Sequence, residues 1–297
     1  MSMSTRFLKK IAIVIGLLLS LTSIAYFSLQ QHGNQRWQAI SEQLHAQLEA
    51  TCSPDHPHFE FDPAQLTGLP APVQRYLRKV LPKGARLVTA ANLQHDGQFN
   101  LAATSGKANW VNFTSTERVI THHPGFDWHG KIDYLPGIDM RVHDAYIYGE
   151  GILKASLMGR FTVADRHDRE QLAVAELQRF LAEAPWYPTR LLPNSDLQWQ
   201  AVDDHNAIVT INDGMQQASL KITFDNNDLI SQVHAQTRYR LVENTMIASP
   251  WRGRFWQYAR HDGMLIPEAG EVGWLLPEGY LPYWRGTLHQ ADYEFAP

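Results

Sequence analysis

The hydrophobic and polar positions divide the chain into an apolar N-terminal segment, a helical segment and a long region of alternation. Residues 11–29 form an apolar run, and no Lys, Arg, Asp or Glu occurs between Lys10 and Arg36. As a helix, these 19 residues span about 28 Å, close to the thickness of the hydrocarbon core of a bilayer. Since Arg6, Lys9 and Lys10 precede the run, the pattern predicts a membrane helix with its N-terminus inside and the following chain translocated.

Two fates of residues 1–30 stay open. Ser23, Ile24 and Ala25 form a small-x-small sequence of the kind found at signal-peptide cleavage sites. The apolar run continues to Leu29, which is longer than the usual core of a signal peptide and favours a retained anchor. We therefore expect a single-pass membrane protein, with secretion after cleavage as the alternative.

Residues 31–68 are predicted to form a juxtamembrane helix and a linker. Apolar residues recur at helical spacing over residues 30–50, which indicates an amphipathic helix. Pro54, Pro57 and Pro63 then mark the linker. The recurring apolar residues of the helix are Trp37, Ile40, Leu44 and Leu48.

Residues 69–297 are predicted to form one β-rich domain. A short helix from Val73 to Val80 comes first, and the period of the pattern then changes from 3.6 to 2. Residues 126–134 and 138–148 alternate apolar and polar side chains on either side of a Pro136-Gly137 turn, as half-buried antiparallel strands do. Further alternating runs cover residues 197–202, 207–211, 218–224, 233–241, 251–258, 271–275 and 283–295.

One predicted helix interrupts the strands. Asp165 or Asp168 is placed to cap it, and Asp168 with Gln171 three residues later resembles a capping box. An apolar stripe leads to Ala184, and Pro185 and Pro188 end the helix. The expected fold class is α+β and mostly β. Roughly ten to twelve strands form one large, curved, half-barrel-like antiparallel sheet with helices packed on one side, preceded by the single transmembrane or signal helix.

Composition excludes several classes of function. Apolar residues make up 44% and charged residues 19% of the chain, which is typical of a globular protein. A net charge of −4 argues against nucleic acid as a partner. The single cysteine, Cys52, excludes an internal disulfide framework and cysteine-based metal clusters. His122 and His123 are adjacent on a predicted strand end and should face opposite sides, so we expect no metal site and no cofactor.

Three carboxylates are candidates for acid–base chemistry. Glu183 lies near Trp186 and Tyr187, and a carboxyl group packed against an indole can have a raised pKa and act as a general acid. Paired with Glu268 or Glu271, it would suit a hydrolase of glycans or lipids. The competing interpretation is an ion pair between Glu183 and an arginine that fixes the helix on the sheet.

The two strands around Pro136-Gly137 also share a polar face. We interpret this face as the solvent side of a half-buried sheet, with opposite charges paired across the strands, and a functional patch of carboxylates and imidazoles as the alternative. Its residues are Asp127, His129, Lys131 and Asp133 on one strand and Asp139, Arg141 and His143 on the other.

Large aromatic residues on single faces of successive strands predict either an apolar groove or ordinary core packing. A curved sheet lined in this way would be wide enough for an acyl chain if some of the residues stay uncovered. The candidate ligand-binding residues are Phe126, Trp128, Tyr134, Trp186, Trp251, Phe255, Trp274 and Trp284.

Several motifs occur in a fixed order. They are Gly149-Glu150-Gly151, the stretch from Arg179 to Thr189, and a C-terminal set made of Trp251-x-Gly253-x-Phe255, Gly263-x-x-Ile266-Pro267, Glu271-Val272-x-Trp274 and Tyr283-Trp284-Arg285-Gly286. In this order, the motifs resemble a bacterial family known only as a domain of unknown function with a membrane-proximal N-terminus. The resemblance covers roughly residues 69–295 and implies no particular reaction.

A looser similarity is to the periplasmic lipoprotein carriers, in which a curved antiparallel sheet wraps around helices and holds acyl chains. The similarity implies a fold and no function by itself. We expect a bacterial inner-membrane protein with its soluble domain in the periplasm or outside the cell. Its expected function is non-catalytic binding of a lipid, lipoprotein or other apolar ligand. The alternatives are the hydrolase and a scaffold that binds another envelope protein through exposed aromatic residues.

Overall fold

The computed structural model describes residues 5–52, 59–102, 108–243 and 245–297. Within these ranges the chain forms three α-helices, α1 (Thr5–Glu49), α2 (Ala71–Val80) and α3 (Gln171–Ala182), and thirteen strands. Pro54 and Pro57 of the predicted linker lie outside the described residues. The strands are β1 (Val88–Asn100), β2 (Trp110–Ile120), β3 (Gly125–Leu135), β4 (Ile138–Ile147), β5 (Glu150–Leu157), β6 (Phe161–Asp168), β7 (Leu197–Asp203), β8 (Asn206–Asp213), β9 (Gln216–Phe224), β10 (Ile230–Val242), β11 (Thr245–His261), β12 (Met264–Leu276) and β13 (Gly279–Phe295).

All thirteen strands belong to one antiparallel sheet. Their order is β6-β5-β4-β3-β2-β1-β13-β12-β11-β10-β9-β8-β7, so each half is a simple meander and the halves join where β1 pairs with β13. The sheet curves around α3, which contacts β3 to β6 on one side and β9 to β11 on the other. Across the curve, Tyr146 donates a hydrogen bond of 2.7 Å to Asp213. The mostly β, curved and open sheet predicted from the alternation is therefore confirmed.

Helix α1 is continuous from its apolar half into its docked half. Its side chains are exposed from Phe7 to Leu29, whereas Trp37, Leu44 and Leu48 are buried against the convex face of the sheet. Helix α1 and the turn between β5 and β6 approach closely at Gly33, where an added Cβ atom would lie only 1.9 Å from the carbonyl oxygen of Met158. The amphipathic helix predicted around residues 30–50 is thus confirmed as the second half of α1.

The shorter helices lie on the concave side. Four apolar residues of α2, Val73, Tyr76, Leu77 and Val80, are fully buried, as the predicted 73–80 helix requires. The N-cap residue of α3 is Glu170, two residues later than predicted, but the carboxylate of Asp168 accepts hydrogen bonds from the backbone N–H groups of Leu172 and Ala173 at the start of the helix. The strands are longer and more numerous than the alternation predicts. Strand β6 in particular has little burial pattern, because it lies at an edge of the sheet.

Candidate functional site

A cavity of about 170 Å³ lies between the concave face of the sheet and the end of α3. Its wall combines residues of β1, β3 to β5 and β10 to β13 with the turn that follows α3. Five of the eight predicted aromatic residues line it, namely Trp128, Trp186, Trp251, Phe255 and Trp284. The sheet therefore brings together side chains that are up to 156 positions apart in sequence.

The other three predicted aromatic residues lie elsewhere. Phe126 is fully buried behind the cavity, where the guanidinium of Arg179 lies 5.0 Å from its ring centre. Trp274 stacks on Tyr283, a residue of the cavity wall, with 5.7 Å between the ring centres. Tyr134 is 39% exposed near the turn between β3 and β4, beside α1, and does not belong to the cavity.

Glycines two residues after a tryptophan shape the cavity wall. Residues i and i+2 of a strand face the same side, and the indoles of Trp128 and Trp284 lie against Gly130 and Gly286. A Cβ atom on Gly130 would lie 2.2 Å from the indole, and one on Gly286 would lie 2.3 Å from it. Only glycine leaves room for an indole that lies flat along the strand. The Trp-x-Gly pattern is the sequence signal for this arrangement.

Buried charges form the polar end of the cavity, and Arg179 of α3 is at their centre. Its Nε donates a 2.8 Å hydrogen bond to Glu183, and its Nη1 donates one of 2.6 Å to Asp144. Its Nη2 lies 3.6 Å from Glu117. Glu183 is thus ion-paired with an arginine, as the competing interpretation expected, but that arginine belongs to α3 itself, and it is Asp144 that joins Arg179 to the sheet. Sequence reasoning missed Glu117 and Asp144, although each occupies an inward position of an alternating strand.

Two carboxyl groups of this cluster hold protons more tightly than usual. Burial, together with the charge of Glu183, raises the pKa of Glu117 well above its ordinary value. Burial and the charge of Asp144 raise the pKa of Glu176 to about 8. With a pKa of about 8, Glu176 is protonated at neutral pH, and the pKa of Glu117 is shifted in the same direction. A proton on Glu176 lowers the negative charge that surrounds Arg179 and Arg238.

Arg238 of β10 also lines the cavity. Its side chain is 7% exposed, with Nη1 bonded to the carbonyl of Ala175 at 2.6 Å and Nη2 3.6 Å from Glu176. Its guanidinium lies 5.3 Å from the ring centre of Trp251. Its Nε is buried and has no hydrogen-bond partner. A buried N–H without a partner is costly, so a ligand oxygen placed there would be bound favourably.

His95 of β1 lies directly behind the aromatic wall. Its ring centre is 4.6 Å from that of Trp186 and 5.8 Å from that of Trp284. Neither ring nitrogen has a hydrogen-bond partner. Burial, followed by the charge of Arg179, lowers the pKa of His95 to about 3. The imidazole is therefore neutral and acts as part of the aromatic packing.

The three candidate acid–base carboxylates have separate partners. Glu183 lies in the cavity with Arg179, whereas Glu268 pairs with His261 at 3.1 Å. Glu271 borders the cavity, but its carboxylate accepts hydrogen bonds of 2.5 Å from Arg254 and Arg285. Burial raises the pKa of Glu271, yet the bonds from these arginines outweigh it and leave the pKa below its ordinary value.

Helix α1 covers the part of the polar face of β3 and β4 that carries Asp127, His129 and His143, which corrects the expectation of solvent there, whereas Lys131 and Asp133 are exposed as expected. The Nε1 of Trp37 donates a 2.8 Å hydrogen bond to His129, and its ring stacks on His143 at 5.0 Å. His143 is 1% exposed and joins Asp127 and Ser41, each at 2.8 Å. The alternation of apolar and polar residues along β3 and β4 is compatible with both interpretations. The alternation cannot distinguish them, because burial of this face depends on a helix that is distant in sequence.

Ser41, His143 and Asp127 are hydrogen-bonded in the order found in a catalytic triad, but the rest of such a site is missing. Ser41 lies inside α1, where the backbone N–H groups are bonded within the helix and cannot form an oxyanion hole. Trp37 covers the imidazole. We therefore interpret these residues as contacts that fix α1 to the sheet.

Neither metal ligands nor an activated cysteine are found in the parts of the chain that the structure describes. No cluster of three or more His, Cys, Asp or Glu side chains suited to a metal ion occurs there. Cys52 is a free thiol just after α1. Burial and the charge of Glu49 raise its pKa, which disfavours the reactive thiolate.

Comparison with known families identifies the chain. Residues 67–293 match the model of a family described as a family of unknown function, DUF6920. The match covers most of the chain, so the protein belongs to this family, and the predicted resemblance to a family of unknown function is confirmed. Among curated proteins, none matches the sequence at a significant level.

Two solved structures are similar to this fold at a low level. A LolA superfamily protein from Nitrosomonas europaea has 9% sequence identity and a TM-score of 0.35, and the alignment covers 76% of this chain and 93% of that chain. A beta-barrel-like protein of the domain of unknown function DUF1849 from Brucella abortus has 10% identity and a TM-score of 0.23, over 71% and 100% of the two chains. Scores this low carry no argument about ligand or activity.

Proposed function

We propose that this member of the DUF6920 family is a membrane-anchored binding protein for a slender apolar molecule with an oxygen-bearing end. The observation that carries the proposal is the cavity itself. Aromatic rings form its wall, and the unpaired Nε of Arg238 marks its polar end. This combination of an apolar wall with a few placed polar groups is typical of small-molecule sites.

The size of the cavity limits the ligand. Drug-sized ligands occupy pockets of roughly 300–1,000 Å³, whereas a cavity of about 150 Å³ holds a molecule the size of benzene. At about 170 Å³, this cavity fits one segment of an acyl chain or a single ring, and a whole two-chain lipid would have to leave most of its mass outside. A single acyl chain, from a lipid or a lipoprotein, is therefore the ligand we favour.

The buried carboxyl groups of the cluster limit the polar end of the ligand. Arg238 offers one hydrogen-bond donor, and Glu176, with its pKa raised to about 8, holds its proton at neutral pH. An ester, amide or hydroxyl oxygen satisfies this donor without adding charge to a buried site, whereas a carboxylate adds a negative charge near Asp144 and Glu183. We propose a neutral oxygen group at this end.

Helix α1 supplies the proposed anchor. It is the helix, among the residues described, that is long and apolar enough to cross a membrane, and none of its apolar window is buried. A retained anchor would hold the cavity close to a supply of acyl chains. We propose the periplasmic side of the bacterial inner membrane as its place, as the basic N-terminal flank predicts.

Native mass spectrometry of the full chain in detergent, followed by organic extraction, tests the proposal. We expect a bound species of defined mass that Ala182→Phe abolishes, because Ala182 lines the cavity. Trp256→Ala is the matched control, since Trp256 is 41% exposed on β11. Titration with 1-dodecanol and with dodecanoate then compares a neutral with a charged end. A clean apo mass and no binding of either probe would overturn the proposal and favour the hydrolase or the scaffold.

A further inference from the structure

The turn between β3 and β4 is bonded to α1 near the end of its apolar run. We call residues 134–138 the β3–β4 tip. The hydroxyl of Tyr26 donates a 2.7 Å hydrogen bond to the carbonyl of Gly137, and Gln30 bonds to that hydroxyl at 3.0 Å. An added Cβ atom on Gly137 would lie 3.3 Å from the Tyr26 hydroxyl. Contact with α1 therefore fixes the height of the tip along the helix.

The position of Tyr26 sets the depth of this contact. The apolar run of α1 ends at Leu29, three residues beyond Tyr26, and each helical residue rises about 1.5 Å. If the run fills the hydrocarbon core, Tyr26 lies about 4–5 Å inside its boundary. The β3–β4 tip, bonded to Tyr26, then lies at the same depth. A domain attached only through its linker would place no such constraint on a hairpin.

The composition of the tip suits that depth. Its sequence from Tyr134 to Ile138 contains no charged residue, although Asp133 and Asp139 flank it directly. Leu135 is 56% exposed and Tyr134 is 39% exposed, with Tyr26 beside them. Tyrosine is enriched where membranes meet water. The Tyr26 hydroxyl also satisfies a tip carbonyl that would otherwise enter an apolar layer unpaired.

A second hairpin provides an internal contrast. The turn between β5 and β6 contacts α1 at Gly33, seven residues beyond Tyr26, which places it about 10 Å farther along the helix. Phe161 and Val163 beside this turn are 54% and 57% exposed. They are as apolar and as exposed as the residues of the β3–β4 tip, but the geometry of α1 places them about 10 Å farther from the hydrocarbon core.

We propose that the β3–β4 tip is a second membrane contact, in which Tyr134 and Leu135 enter the lipid surface on the side of the bilayer where the domain lies. The partner is the bilayer itself, at the boundary between headgroups and acyl chains. The inference rests on the proposed anchoring by α1 and is independent of what the cavity binds. With two contacts, the domain has a fixed orientation on the membrane.

Depth measurement by spin labelling tests the contact. Cys52 is the only cysteine, so Cys52→Ser gives a background for single labels at Ser20→Cys, Leu135→Cys and Phe161→Cys. The full chain is placed in nanodiscs of phosphatidylcholine and phosphatidylglycerol, and collision rates with oxygen and with a water-soluble nickel chelate are compared. We expect a label at position 135 to collide severalfold more with oxygen relative to nickel than a label at 161.

The label at position 20 separates the two proposals. A deep reading at 20 with equal, water-like readings at 135 and 161 would overturn the tip contact and leave the anchoring intact. A water-like reading at 20 would overturn both. Because Leu135 is exposed, its substitution should leave the fold unchanged, and equal thermal unfolding midpoints check this. A label at Tyr134→Cys repeats the measurement at an independent tip position.

Discussion

The two faces of β3 and β4 both bury polar groups, but they do so in different ways. On the concave face, Asp144 is held by the charge of Arg179 beside an empty space. On the convex face, His143 and His129 are held by hydrogen bonds and stacking from Trp37, which fills the space above them. A face closed by a large aromatic side chain becomes an interface. A face closed by an ion pair leaves room for a ligand.

Removal of the central charge is the strongest way to break the concave face. Arg179→Met leaves Glu183 and Asp144 buried without their cation. Breaking a buried ion pair from one side typically costs about 3–5 kcal/mol, so we expect a large loss of unfolding free energy or failure to fold. Chemical denaturation of the purified domain measures it. Arg169→Ala is the control, because Arg169 is 63% exposed in its ion pair and should cost about 1 kcal/mol or less.

His143→Ala should break the convex face with a smaller effect. It leaves Asp127 and Ser41 without their shared partner, and we expect a loss of about 1–3 kcal/mol. Hydrogen exchange should rise in residues 37–48 of α1, while exchange in α3 stays unchanged. His289→Ala, at an exposed ion pair with Asp96, is the matched control. An equal increase of hydrogen exchange in α1 and α3 would contradict the separation of the two faces.

The Trp-x-Gly arrangement allows a change of cavity shape without a change of charge. Gly286→Ala forces the indole of Trp284 away from the strand, and overpacking of this kind costs about 1–3 kcal/mol. We expect a change in near-ultraviolet circular dichroism and weaker dodecanol binding. Thr287→Ala, at the next, exposed position, should leave both unchanged. Unaltered binding in Gly286→Ala would show that the indole does not shape the ligand site.

The pH dependence of stability gives the finest comparison. The pKa of Glu176 is about 8 in the folded protein and 4.5 in the unfolded chain, so the folded state binds more protons between these values. Its contribution is complete below pH 4.5 and is lost as pH rises towards 8, at up to about 1.4 kcal/mol per pH unit. We expect the midpoint temperature of thermal unfolding to decrease as the pH is raised from 6 to 8. The decrease should be smaller in the Glu176→Gln variant. An identical slope in both proteins would contradict the raised pKa.

The sequence predicted the elements better than their partners. Alternation assigned Trp128 and His129 to opposite faces correctly, because the two-residue period is a local property of a strand. It could not show that Trp37 covers His129, since that contact joins residues 92 positions apart. Glu117 was missed for a related reason. A carboxylate at an inward position is recognisable only when its partner, Arg179, is known to lie opposite.

The pairing of β1 with β13 has a consequence for how the protein folds. Leu93 pairs with Ala291, almost two hundred residues later along the chain. Every other pair of strands in the sheet is consecutive in sequence. Each half can therefore form from local hairpins before the whole chain has been synthesised. Pairing β1 with β13 has the highest entropic cost of loop closure in the sheet, and it can form only after the last strand has been synthesised. Until then both β1 and β12 are open edges, and this interval is when the chain most needs protection from aggregation.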